Sequence, residues 1–222
     1  MTLSQRAEEA RRLQMDAAAL GLDLDADQIE RLLAYLDLLQ KWNRAYNLTA
    51  IRQRSAMRVQ HVLDSLAVHR WIRAEGRVLD MGTGAGLPGI PLAIALPGSR
   101  WMLVDAVGKK VRFLRQVCRA LQLENVEPYH ARLEALEGRC FQQITARALA
   151  DLDRLMGLAR PLLEPGGELL AMKARQETDR DDVQCPVHGF RLLGCHRLKV
   201  PGLDAPRHLL QLQRCHGQGE MR

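Results

Sequence analysis

From Gly76 onward, short apolar runs alternate with amphipathic segments, and no other feature of this 222-residue chain restricts its fold as strongly. Arg77 to Met81, Trp101 to Val104, Val126 to His130, Gln143 to Ala148 and Glu168 to Met172 read as strands, followed by Leu192 to Val200 and Leu209 to Gln213. Gly89 to Leu96 and Gly108 to Leu121 read as helices between them. Strands alternating with helices predict βαβ units and an α/β fold with a mostly parallel, doubly wound sheet. Ligands in such sheets bind beyond the carboxyl ends of the strands. Pro165-Gly166-Gly167 predicts a turn ahead of its strand. Before Gly76 the pattern is helical, because Ile29, Leu32, Leu33, Leu36, Leu39 and Trp42 recur every three or four residues and build one apolar face. Asp25 or Asp27 supplies the N-cap, Tyr46 to Thr49 interrupts the pattern, and Val62, Leu66 and His69 to Ile72 resume it. The expected division is a helical region over 1–75, an α/β domain over 76–215 and a flexible tail over 216–222.

The N-terminus, MTLSQRAEEARRLQ, has no apolar signal segment, and no apolar run approaches the roughly 20 residues that span a bilayer. A cytoplasmic protein without a membrane partner is expected. Its five cysteines are odd in number and lack a CxxC pair, which favours free thiols. Cys185-Pro186-Val187-His188 with Cys195-His196 superficially resembles zinc spacing, but the second half has no paired spacing, and no metal is expected. The net charge of +6 permits a polyanionic partner, and its distribution says more. Residues 1–75 are nearly balanced, with 11 basic and 10 acidic side chains. Lys109, Lys110, Arg112, Arg115 and Arg119 form a block without an acid. Arg52, Arg54 and Arg58 form another, and Arg191 to Arg214 holds five basic residues against Asp204.

The segment LDMGTGAGLPGIP, Leu79 to Pro91, brings backbone close to a ligand. No lysine follows its glycines, so it is not a Walker A phosphate loop. Gly84 to Gly89 formally matches the dinucleotide pattern GxGxxG, a weak signal alone. In a second frame Asp80 ends a strand, and Gly82, Gly84 and Gly86 alternate with small residues, leaving the backbone free to curl against a ligand. An acid beside the loop repels a pyrophosphate and suits a cation such as S-adenosylmethionine, which carries a sulfonium and an ammonium. Asp105, at the end of the next strand, can accept hydrogen bonds from both ribose hydroxyls, as in NAD sites. Leu133-Glu134, after the third strand, offers an acid to an adenine amino group.

Trp42-Asn43-Arg44-Ala45-Tyr46-Asn47-Leu48-Thr49, His61-Val62-Leu63-Asp64-Ser65, the Leu87-Pro88-Gly89-Ile90-Pro91 tail, Gly108 to Arg115, Arg147-Ala148 and Val200-Pro201 to Arg207-His208-Leu209 occur in that order. As a set, from about residue 25 to 212, they resemble the bacterial small-subunit (16S) rRNA guanine-N7 methyltransferases, also called glucose-inhibited division protein B. The resemblance implies a class I S-adenosylmethionine-dependent methyltransferase: a Rossmann-like, doubly wound, mostly parallel seven-stranded sheet with an N-terminal helical extension. It implies S-adenosylmethionine as donor, a guanine of small-subunit rRNA as acceptor, and cofactor contacts at Gly82, Leu87, Leu133, Glu134 and Arg147, beside Asp80, Gly84, Gly86 and Asp105 from the reading above. Ala85 departs from the proline common in relatives.

Guanine N7 has an exposed lone pair and no proton, so no catalytic base is expected, and positioning and electrostatics suffice. His61, Asp64 and Ser65 are too short to form a relay along one helix; this helix is expected to frame the acceptor pocket. Phosphate contacts are expected from Lys109 and Arg112, and further RNA contacts from Arg52, Arg58, His61, Lys173, Arg207 and His208, on naked rRNA or in a ribosomal particle. Tyr46 and Trp42 read as packing rather than stacking surfaces. A monomer is expected. An NAD-dependent oxidoreductase built on Gly84 to Gly89 and a non-catalytic RNA- or ribosome-binding module are the competing readings.

Overall fold

A computed structural model of the chain describes residues 2–136, 138–174 and 189–215. Its centre is a seven-stranded sheet made of β1 (Gly76–Met81), β2 (Ser99–Asp105), β3 (Val126–His130), β4 (Phe141–Arg147), β5 (Leu163–Lys173), β6 (Phe190–Val200) and β7 (Leu203–Arg214), in the order β3-β2-β1-β4-β5-β7-β6. The first five strands pair in parallel, and β7 is antiparallel to both β5 and β6. The strand order reverses between β1 and β4, which opens a crevice at their carboxyl ends.

Both faces of the central strands are covered, which is why they read as nearly continuous apolar runs. On one face Val78, Leu103 and Leu170 join a core shared with Leu13, Leu32, Leu36 and Leu66 from the N-terminal helices. On the other, Leu79, Val104 and Leu169 pack with Leu155 and Met156 of α7 (Leu152–Ala159).

The N-terminal helices are α1 (Leu3–Ala19) and α2 (Ala26–Tyr46). Asp25, not Asp27, caps α2: its carboxylate accepts from the Gln28 amide while Gln28 returns a bond to the Asp25 backbone. Asn47 ends the helix in the left-handed conformation. Gln28 Nε2 donates to the carbonyls of Ile94 and Ala95, at the end of α5 (Gly89–Ala95) and near the amino edge of the sheet. Tyr35 Oη donates to Ala85 O in the glycine loop at the carboxyl edge. The helix α2 therefore climbs the sheet and overhangs that edge, beside α6 (Gly108–Leu121), which descends from it.

Two expectations need correction. Pro165-Gly166-Gly167 is not a turn ahead of a strand; it lies inside β5, where the pairing with β4 jumps from Phe141↔Leu163 to Gln143↔Glu168. The helix resumed at Val62 begins earlier and is irregular. It runs as α3 (Arg54–Met57), a π-helix (Arg58–Leu63) and α4 (Asp64–Leu66), with a 3-10 turn at His69–Trp71. The expected tail over 216–222 lies outside the described residues.

Candidate functional site

Four strand ends converge on one hollow. Gly82 follows β1, Asp105 closes β2, Leu133 and Glu134 lie in a turn beyond β3, and Ala148, Leu149 and Ala150 follow β4. With Lys110, Arg132 and Arg154 these residues line a cavity of about 370 Å³. A larger hollow of about 910 Å³ lies at the opposite, amino edge, against strand starts such as Arg77, Trp101 and Phe141, away from the loops that carry the motifs.

The glycine loop shows why it needs no side chains. Gly82 and Gly84 take φ of +62° and +63°, which L-residues with a Cβ rarely adopt. A Cβ on Gly84 would meet only Gly82 O, at 3.9 Å, so this side of the loop is open. A Cβ on Gly82 would lie 2.4 Å from Leu149 Cδ1, which roofs that part of the hollow. Gly86 has a different task, since its Cα faces Ile90 and Leu114 inside the protein. Leu87 likewise packs against the core. Asp105 holds the loop's shape: Oδ2 accepts from Gly84 N–H at 3.0 Å and from Lys110 Nζ at 3.2 Å, and Oδ1 accepts from Val107 N–H at 2.8 Å.

Asp80 corrects the sequence reading. It is fully buried and does not face a ligand. Its Oδ2 accepts from Thr83 Oγ1 at 2.6 Å and Gly89 N at 3.0 Å, and its Oδ1 accepts from Thr145 Oγ1 at 3.0 Å. The carboxylate ties both ends of the loop to β4 instead of attracting a cation. Burial pushes its pKa up to about 6, against the pull of those three hydrogen bonds.

Arg147 is not a lining residue of the hollow either. It turns toward the π-helix, where Nη2 donates to Gln60 O at 2.8 Å and Nη1 lies 3.3 Å from Asp64 Oδ2. The wider π turn leaves the Gln60 carbonyl available, and π-helical turns are concentrated at functional sites. Asp64 also accepts from Arg207 Nε at 3.0 Å, so one buried carboxylate joins guanidiniums from β4 and β7. Burial raises the pKa of Asp64 while the two arginines oppose it. Next to it, His61 Nε2 accepts from Thr49 Oγ1 at 2.9 Å and Nδ1 faces Gln60 O. Burial first, and Arg147 second, hold the His61 pKa down at about 4, so the ring is neutral at pH 7.

The RNA-contact expectations divide accordingly. Lys109 and Arg112 stand exposed on α6, as does Arg52 beyond α2. Arg58 does not fit: its guanidinium is half-buried and paired with Asp16 of α1, as Arg54 is with Glu9 and Asp37. His61 is buried at the root of the cluster, and His208 is buried in β7. Arg207 is bound to Asp64, and Lys173 Nζ donates to Ala150 O behind the hollow. Lys110, Arg154, Leu149 and Tyr35 are site residues that sequence reasoning missed. Only Lys110 carried a local signal, five residues beyond Asp105 across a helix start. Cys185 and His188 lie outside the described residues. Among those described, no three His, Cys, Asp or Glu side chains are placed to hold a metal ion, and no helix is long and apolar enough to cross a membrane.

The sequence pattern of the family described as rRNA small subunit methyltransferase G matches residues 28–210. The chain belongs to this family. It is 49% identical over 203 residues to ribosomal RNA small subunit methyltransferase G of Chromohalobacter salexigens, covering 91% of this chain and 96% of that one. It is 45% identical over 203 residues to the protein of the same name from Methylococcus capsulatus, covering 90% and 97%. Among solved structures, a SAM dependent methyltransferase from Aquifex aeolicus superposes with a TM-score of 0.53 at 15% identity, over 73% of this chain and 94% of that one, a likeness of fold. The oxidoreductase reading of Gly84 to Gly89 finds no support in these relatives.

Proposed function

We propose that the chain methylates N7 of a guanine in small-subunit rRNA, with S-adenosylmethionine as donor. Membership of the rRNA small subunit methyltransferase G family carries this reading. The residues present fit the donor. Gly82, the Asp105 carboxylate and the acid of Glu134 line a hollow of about 370 Å³, and the open face of Gly84 adjoins it through the bond from its amide to Asp105. Asp105 and Gly82 would take the sugar and its neighbourhood, and Leu133 and Glu134 the base. When bound, the donor supplies a methyl group on a positively charged sulfur.

The chain's own part is to hold and exclude. Guanine N7 carries a lone pair and no proton, so no general base is required. His61 is neutral and both its nitrogens are occupied. What remains is orientation of the acceptor against the donor in a partly water-excluded hollow. The basic face of α6 serves the RNA backbone: Lys109, Arg112, Arg115 and Arg119 are exposed and have no acidic partner among the described residues.

Mass mapping of methylated nucleosides in rRNA from cells lacking the protein, with and without its return, tests the reaction. A guanine that gains its N7 methyl only on return is the expected result, and an unchanged map refutes it. The double substitution Lys109→Glu with Arg112→Glu is expected to weaken rRNA binding on the order of tenfold at low salt. It should also flatten the slope of log affinity against log salt by roughly 1.4, two single-strand phosphate contacts, while S-adenosylmethionine binds as before in calorimetry.

A further inference from the structure

Tyr46 belongs to the segment Trp42 to Thr49 that marks this chain, yet its side chain makes none of the hydrogen bonds that shape it. Asn43 does that work: its Oδ1 accepts from the Thr49 amide at 2.8 Å and its Nδ2 donates to Ile51 O at 3.3 Å. Asn47 ends the helix, and Thr49 reaches His61. Trp42 is half-buried against Phe113 of α6, with ring centroids 5.7 Å apart, as expected of a packing residue. Tyr46 instead lies 37% exposed, the one aromatic side chain among the exposed large hydrophobics of the described residues. It stacks on Trp42 at 5.1 Å and 28°, which engages one face of the ring, and no other ring of the described residues stacks on it.

Its place in the fold gives that open ring a partner. The Trp42–Phe113 contact joins α2, climbing past the carboxyl edge, to α6, descending from it. Tyr46 lies one turn beyond Trp42, and Lys109 lies one turn before Phe113. Because the two helices run oppositely, both residues lie beyond the contact in the same direction, at the edge that carries the hollow. An aromatic ring on the same edge as Lys109, an exposed lysine with no acidic partner among the described residues, and with Arg112 on the next turn, combines the two elements that hold unpaired nucleotides: a stacking surface and a phosphate contact. We propose that Tyr46 is a stacking platform for an unpaired base of the RNA strand, with Lys109 contacting the adjoining phosphate. The inference rests on the rRNA reading above and adds to it a site outside the hollow.

The test uses the full chain with three residues at position 46. Tyr46→Phe keeps the ring, and Tyr46→Leu keeps the apolar contact with Trp42 but removes the stacking surface. In methyl transfer to rRNA from cells lacking the protein, Tyr46→Leu is expected to raise the RNA KM about tenfold, within the range of one base stacked on one aromatic ring. Its kcat at saturating RNA and its S-adenosylmethionine Kd stay parental, and Tyr46→Phe matches the parent throughout. A parental RNA KM in Tyr46→Leu overturns the platform, and so does an equal loss in Tyr46→Phe, which would assign the effect to the hydroxyl. A second arm, anisotropy with a labelled single-stranded adenine octamer, needs no methyl transfer. A parent that binds the octamer about tenfold more tightly than Tyr46→Leu supports stacking even if rRNA is not methylated, and equal binding by both overturns it.

Discussion

Replacing Asp80 by alanine is expected to lower stability by about 3 kcal/mol and the Tm by roughly 6–12 °C. The substitution leaves the Thr83 and Thr145 hydroxyls and the Gly89 amide without their acceptor where no water reaches, and each such group carries a penalty of about 1–3 kcal/mol. Part of that loss is offset by removing a buried charge. Asp80→Asn separates shape from charge, because its carbonyl accepts from Thr83 and Gly89 while the Thr145 hydroxyl turns to accept from its amide. It should be no less stable than the parent at pH 7. The acid response then distinguishes the variants. The folded Asp80 carboxyl holds its proton up to about pH 6, against 3.8 as the ordinary value, so folding takes up a proton between these limits. Its contribution to stability therefore falls as pH rises through the window and is flat above it, by about 3 kcal/mol in all. His61 acts in the opposite sense. Its folded pKa of about 4 lies below the ordinary 6.5, so its contribution is present above pH 6.5 and is lost as pH falls toward 4. In the parent the two slopes oppose. Asp80→Asn should lose stability more steeply between pH 6.5 and 4, and His61→Asn less steeply, in urea midpoints measured at pH 7, 5 and 4. Parallel profiles for all three proteins would show that neither group titrates as its burial implies.

The sheet and its loop were legible because their causes are local. Gly108–Leu121 and Val126–His130 appear with the bounds read from periodicity, since each is set by an apolar face or by flanking turn residues. Gly82, Asp105 and Leu133-Glu134 meet because strand ends in a parallel sheet must share one edge. What could not be read depends on partners far along the chain. Asp80 is turned inward by Thr145, 65 residues away, and a carboxylate beside a glycine loop gives no sign of whether donors or solvent will surround it. Arg54 and Arg58 form an acid-free run locally, but α1 and α2 bring Glu9, Asp16 and Asp37 to them. The π-helix has the same origin: its displaced Gln60 carbonyl is taken by Arg147, 87 residues on. Charge runs on helices thus need the fold before they can be read as surfaces. On α6 Lys110 pairs with Asp105, but Lys109, Arg112, Arg115 and Arg119 stay exposed with no acidic partner among the described residues, whereas Arg54 and Arg58 of the block at 52–58 are neutralised.

A tryptophan at position 84 is expected to abolish S-adenosylmethionine binding, with Kd raised at least 100-fold in calorimetry, while the protein stays folded. The prediction depends on what lies in front of Gly84. The nearest atom to an added Cβ is Gly82 O at 3.9 Å, so an indole enters open space instead of the core, and that space is the one assigned to the donor. The backbone penalty is separate, since φ of +63° costs an L-residue about 1–2 kcal/mol. For a chain of this size that lowers the Tm by roughly 2–8 °C. Gly84→Ala carries the same backbone penalty but adds only a methyl group, so it should share the Tm loss and still bind the donor within about tenfold of the parent. Gly86→Ala acts in the other direction: its Cβ would lie 2.5 Å from Ile90 and 2.8 Å from Leu114, so it strains the packing behind the loop without entering the hollow. The three variants therefore order differently in the two measurements, tryptophan being worst for binding and Gly86→Ala comparable or worse in Tm. If Gly84→Trp bound S-adenosylmethionine like Gly84→Ala, the donor would have to sit elsewhere, and the hollow between Gly82, Asp105 and Glu134 would lose its assignment.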